Sequence, residues 1–84
     1  MRIQIEVDDA GAKLLDDIKQ RTGMSTYKDI FSNAITLFEW AVKQRAEGRS
    51  IASLDEHSKN YRELQMPTLE EAARRARASA AVTL

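Results

Sequence analysis

The sequence predicts a mainly helical fold that one chain does not complete: a short strand and two helices per protomer, doubled into a homodimer through the strand. Three observations carry this reading. Residues 2–7, Arg2-Ile3-Gln4-Ile5-Glu6-Val7, alternate strictly, with Ile3, Ile5 and Val7 on one face and Arg2, Gln4 and Glu6 on the other, the period of a half-buried strand. No second stretch alternates so cleanly for more than forty residues, and the intervening chain has helical spacing. A lone strand leaves its backbone donors and acceptors unpaired, and the nearest supplier of a second strand is a second copy of the chain, lying antiparallel across a two-fold axis. The expected product is an intertwined homodimer with a two-stranded intermolecular ribbon. One face of that ribbon, three aliphatics from each chain, would rest on the helices, and the other would present Arg2, Gln4 and Glu6 twice over.

Length and composition agree with a fold that needs a partner. With 84 residues the chain is one domain at most, and a unit of about 49 residues is too small to build a secure core alone. No cysteine offers a disulfide, and a single histidine cannot furnish a metal centre. The absence of cysteine fits a reducing compartment, no apolar run approaches the roughly 20 residues of a membrane span, and Arg2 and Glu6 around three aliphatics do not read as a secretory leader. The expected setting is soluble and cytoplasmic. Thirteen basic and thirteen acidic side chains cancel, so any nucleic-acid site must be a local patch rather than a whole-molecule field.

After the strand, Asp8-Asp9 offers a helix N-cap, and Leu14, Leu15 and Ile18 form the apolar stripe of a first helix whose Lys13, Asp16, Asp17, Lys19 and Gln20 face water. Thr22-Gly23 ends it. Ser25, with Thr26 as the neighbouring candidate, caps a second helix from Tyr27 to about Glu47. Two adjacent stripes, Ile30, Ala34, Leu37 and Ala41 beside Phe31, Ile35, Phe38 and Val42, are too broad for one partner helix. They predict packing on the first helix and across the dimer axis, with Ile3, Ile5, Val7, Phe31, Ile35 and Phe38 as the dimer core. Trp40 lies off the stripes and reads as a ring flattened over a subunit rim. Gly48 closes the helix.

Residues 50–84 form a C-terminal extension, expected to be partly flexible. A hairpin over 50–66 is compatible with the extended-looking Ser50–Leu54 and Tyr61–Leu64 around a polar turn. Met66-Pro67 then breaks the chain, and Thr68-Leu69-Glu70-Glu71 opens a last, alanine-rich helix over 69–81 with a thin apolar face and a basic cluster at Arg74, Arg75 and Arg77. Its basic run reads as a solvated face, a nucleic-acid backbone contact or a docking site for an acidic protein.

The order strand, helix, glycine-containing turn, longer helix, with the turn Gly23-Met24-Ser25-Thr26, resembles the ribbon-helix-helix family of bacterial repressors, the Arc, MetJ and CopG group, over residues 2–49. The resemblance implies that the two-stranded ribbon enters the major groove of double-stranded DNA and that Arg2, Gln4 and Glu6 read base edges. It also implies that the start of the second helix, at Met24, Ser25 and Thr26 with Lys28 close by, holds the phosphate backbone. The chemistry suits most of these positions: arginine takes both acceptors of guanine, glutamine pairs with adenine, and a helix N-terminus offers free amides to phosphate. Glu6 is the least comfortable, since its carboxylate is repelled by phosphates. Residues 1–49, the expected dimerisation and DNA-binding domain, hold eight basic and eight acidic groups, where DNA-binding modules are usually basic.

The resulting expectation is a homodimeric, sequence-specific transcriptional regulator, a repressor, with an antitoxin as a special form in which residues 50–84 wrap a toxin or another protein. The alternative is a dimeric protein-interaction module of the same fold without DNA binding. No nucleophile with a base, glycine-rich phosphate loop or Cys/His cluster is present in the sequence, so neither an enzyme nor a cofactor or metal is expected. His57, beside Asp55 and Glu56, reads as a solvated loop histidine.

Overall fold

The computed structural model describes residues 1–82; residues 83 and 84 of the expected extension lie outside the described residues. The order of elements is α1 (Asp9–Thr22), α2 (Tyr27–Ala46), β1 (Ala52–Asp55), β2 (Asn60–Glu63) and α3 (Pro67–Val82). Three helices and one two-stranded antiparallel sheet make a mainly helical chain. It divides into two compact units, Met1–Ile35 and Thr36–Leu84, and α2 runs through the boundary.

In the first unit, residues 1–8 belong to no helix and form no ladder with another described residue. Alternation specifies which side of a strand is apolar; it does not supply the partner, and none lies among the described residues. Asp8 caps α1, its Oδ1 accepting from the Gly11 amide at 2.8 Å and its carbonyl accepting from the Ala12 amide at 2.9 Å. Space at Gly11 is tight: a Cβ there would lie 3.3 Å from the Cβ of Val7 and 3.2 Å from Asp8 Oδ1. The segment's C-terminal end is therefore held close against the first turn of α1. Gly23 ends α1 at φ 73°, its amide donating to the Lys19 carbonyl.

The cap of α2 is Thr26 rather than Ser25. Thr26 Oγ1 accepts from the Asp29 amide at 3.1 Å, which places Ser25 one residue outside the helix. Ile30 is buried, whereas Leu14, expected on the core stripe of α1, is 60% exposed, leaving Leu15 and Ile18 half-buried. Lys19, expected to face water, is half-buried, with its ammonium 4.5 Å from the centroid of the Tyr27 ring.

In the second unit, α2 ends in a Schellman motif around Gly48 at φ 83°, the Arg49 amide donating to the Gln44 carbonyl and the Gly48 amide to the Arg45 carbonyl. The hairpin pairs Ala52 with Glu63, Ser53 with Arg62, Leu54 with Tyr61 and Asp55 with Asn60, and the Leu64 amide extends it to the Ile51 carbonyl at 2.7 Å. Asp55 Oδ1 accepts from the His57 and Ser58 amides, which folds the turn, and Lys59 takes the left-handed conformation. Helix α3 starts at Pro67, two residues before the expected Leu69, because proline is preorganised for the first helical position and the Met66 carbonyl accepts from both Leu69 and Glu70. The thin apolar face of α3 suffices to bury Leu69 and Ala73 completely, and Ala41 of α2 is buried as well. Arg45, 14% exposed in its side chain, ties this unit together: Nη2 donates to Glu70 Oε2 at 2.8 Å and Nη1 to the Arg49 carbonyl at 2.9 Å.

Candidate nucleic-acid interface

The aliphatic face of residues 2–7 stays open. Ile3 is 68% exposed, Ile5 58% and Val7 49%, the exposure falling toward the end held by α1. Together with Leu15, Phe31 and Ile35 these side chains line an apolar concavity of about 720 Å³, edged by the polar groups of Tyr27, Lys28 and Ser32. Ile35 on its wall is 67% exposed. Farther along α2, in the second unit, Phe38, the other helical residue expected in a dimer core, is 41% exposed. The structure thus gathers five of the six expected core residues around one open groove within the first unit.

The alternate residues Arg2, Gln4 and Glu6 are absent from the lining of that concavity, are exposed and have no hydrogen-bond or ion-pair partner among the described residues. Their side chains are free to meet a ligand or another chain. At the start of α2, Ser25 is exposed with its hydroxyl unengaged, while the Thr26 hydroxyl is committed to the cap. The Met24 amide makes a long contact of 3.4 Å with Thr22 Oγ1, and the Met24 sulfur accepts from Asn33 Nδ2 at 3.7 Å. Lys28 is exposed and unpaired among the described residues. The amides of Tyr27 and Lys28, in the first turn, have no partner inside the helix and point with the positive end of its dipole.

Three residues with no role at the site expected from the sequence fix this helix start. The Tyr27 hydroxyl donates to Asp16 Oδ1 at 2.5 Å, and Lys19 sits over the ring. The hydrogen bond to Asp16, and then that carboxylate's charge, raise the Tyr27 pKa above its ordinary value. Asp16 and Tyr27 lie eleven residues apart across a turn, so no helical spacing could have signalled the contact.

In the second unit the basic run of α3 is less available than its sequence suggests. Glu71 accepts from Arg74 Nε and Arg75 Nε, each at 2.9 Å, and from Arg74 Nη2, and the hydrogen bonds from the two arginines hold its carboxyl down at about 2. Arg77 alone of the three has no such partner among the described residues. One hairpin face carries Ser53, Asp55, Asn60 and Arg62 around a polar hollow. Hydrogen bonds from Ser58 and His57 lower the Asp55 pKa. Among the described residues no group of His, Cys, Asp and Glu side chains is arranged to hold a metal ion, and no helix is long and apolar enough to cross a membrane. No protein-family model matches this chain, and neither curated proteins nor solved structures give a match.

Proposed function

We propose that this chain is a homodimeric DNA-binding transcription regulator of the ribbon-helix-helix type, in which residues 2–7 of two copies pair antiparallel and enter the major groove. The observation that carries the reading is the open groove: a segment whose alternating aliphatic side chains stay exposed above an apolar hollow, with a backbone that joins no ladder among the described residues. Such an element is incomplete, and a second copy of itself both pairs the backbone and covers Ile3, Ile5 and Ile35. The polar side then carries Arg2 and Gln4, suited to guanine and adenine edges, in two symmetric copies. The start of α2 supplies phosphate contacts through free amides, the Ser25 hydroxyl and Lys28. Residues 50–84 are left to regulate or to bind a protein, a toxin in the antitoxin form of the reading.

A dimeric protein-interaction module is the second reading, favoured by the eight basic and eight acidic groups of residues 1–49. The affinity for duplex DNA as a function of salt separates the two. The regulator binds at low salt with a steep loss as salt rises, and Lys28→Ala lowers the slope of log K against log salt by about 1 for each phosphate contact removed. A folded dimer with no affinity for duplex DNA at low salt would overturn the regulator.

A further inference from the structure

We infer that the two copies of residues 2–7 pair in a register centred on Gln4, locked by an ion pair between Arg2 of each protomer and the partner's Glu6. The inference rests on the second-copy pairing proposed above and adds to it which residues meet and what role Glu6 plays. Register in an antiparallel pair is set by which residues face each other, and a slip of one residue exchanges the two faces. Only registers that put even-numbered residues opposite even-numbered ones keep Ile3, Ile5 and Val7 together over the groove. Centring on Gln4 sets Ile3 against the partner's Ile5, Arg2 against the partner's Glu6 and Gln4 against itself.

The neighbouring registers are worse for reasons visible in the chain. Centring on Ile5 would draw Asp8 into the ladder opposite Arg2, but Asp8 is occupied at both ends: its carboxylate takes the Gly11 amide and its carbonyl the Ala12 amide. Centring on Ile3 leaves Glu6 and Val7 beyond the end of the partner strand. The Gln4 register alone gives every charged residue of the segment an opposite charge directly across from it, at the distance where cross-strand pairs interact. Neither Arg2 nor Glu6 has a partner among the described residues, and four residues along one strand span roughly 13 Å, so they do not satisfy each other within a chain.

This gives Glu6 a purpose that base reading does not. A carboxylate on a surface facing phosphates is costly, whereas a carboxylate opposite an arginine is compensated and sets the register. Arginine has five donors in a planar fork, so one edge can hold the partner's Glu6 while the other remains for a base. Direct reading then falls to Gln4, at the two-fold centre, and to the free edge of Arg2.

The test is subunit mixing of two charge-reversed variants, Arg2→Glu and Glu6→Arg, unfolded together, refolded and analysed by native mass spectrometry. Each homodimer places like charges opposite one another twice, while the heterodimer restores two attractive pairs. The heterodimer is therefore expected in excess, with its squared population over the product of the two homodimers raised at least roughly tenfold above random mixing at low salt, and the excess should shrink in about 1 M salt. Dimer lost in either variant alone, read as monomer mass, should return on mixing. A random mixture of dimers, or variants that stay monomeric on mixing, overturns the register while leaving the wild-type dimer in place. Wild-type protein that remains monomeric under the same conditions overturns the second-copy pairing and the register with it.

Discussion

Changing Ile5 to serine tests the open groove directly. Ile5 sits in the middle of the segment and is 58% exposed in the single chain, so its removal takes little from the protomer itself. Covered by a second copy, that exposed fraction is worth roughly 1–2 kcal/mol, taking about 1.5–3 kcal/mol for a fully buried isoleucine. Symmetry counts it twice, about 2–4 kcal/mol per dimer, and at about 1.4 kcal/mol per tenfold the dissociation constant should rise roughly 30- to 700-fold. Sedimentation equilibrium over a range of concentrations measures this, with circular dichroism to show that the protomer's helices are retained. If Ile5→Ser dimerises as tightly as the wild type, the second copy does not cover this face, and the ribbon is wrong even where a dimer exists.

Other substitutions separate stability from binding. Leu69→Ala removes the most buried side chain, 2% exposed, and should cost about 2–5 kcal/mol, read as a lowered thermal midpoint. Thr26→Ala, which loses the cap on the Asp29 amide, should cost about 1 kcal/mol, whereas Ser25→Ala should leave the midpoint unchanged and weaken DNA binding. Gly23→Ala forces a Cβ into φ 73° and should destabilise by about 1 kcal/mol in the same melt. Glu71, with its pKa depressed to about 2, contributes stability that is present above the ordinary value of 4.5 and is lost as pH falls from there through about 2. An acid titration followed by helicity should show that loss, and Glu71→Gln should remove that step.

Most of the secondary structure was legible because it depends on neighbours in sequence. Asp8, Gly23 and Gly48 mark helix ends through their own backbone chemistry, and the spacing of Ile30, Phe31 and Ala41 declares α2 without reference to the rest of the chain. Errors of one or two residues came where two local signals competed. Ser25 and Thr26 are equally good caps by type, and only the geometry gives the role to Thr26; Thr68 looks like a cap, but Pro67 begins the helix earlier. What spacing could not reveal is contact between distant residues: the Tyr27 hydroxyl on Asp16 and the Arg45 guanidinium on Glu70. Glu71 with Arg74 and Arg75 is different: these are i,i+3 and i,i+4 pairs on one helix, a spacing visible in the sequence, and both arginines stay exposed.

Selection of duplexes from a randomised pool by the folded, purified protein at about physiological salt, where non-specific binding is weak, tests the regulator most directly. The account predicts recovery of a short motif repeated with two-fold symmetry, its half-sites related as the two copies of residues 2–7 would be, and weakened by roughly 1–3 kcal/mol on Arg2→Ala. Recovery of no common motif from a protein that sediments at twice its 9.5 kDa chain mass would contradict it and assign the paired surface to another protein.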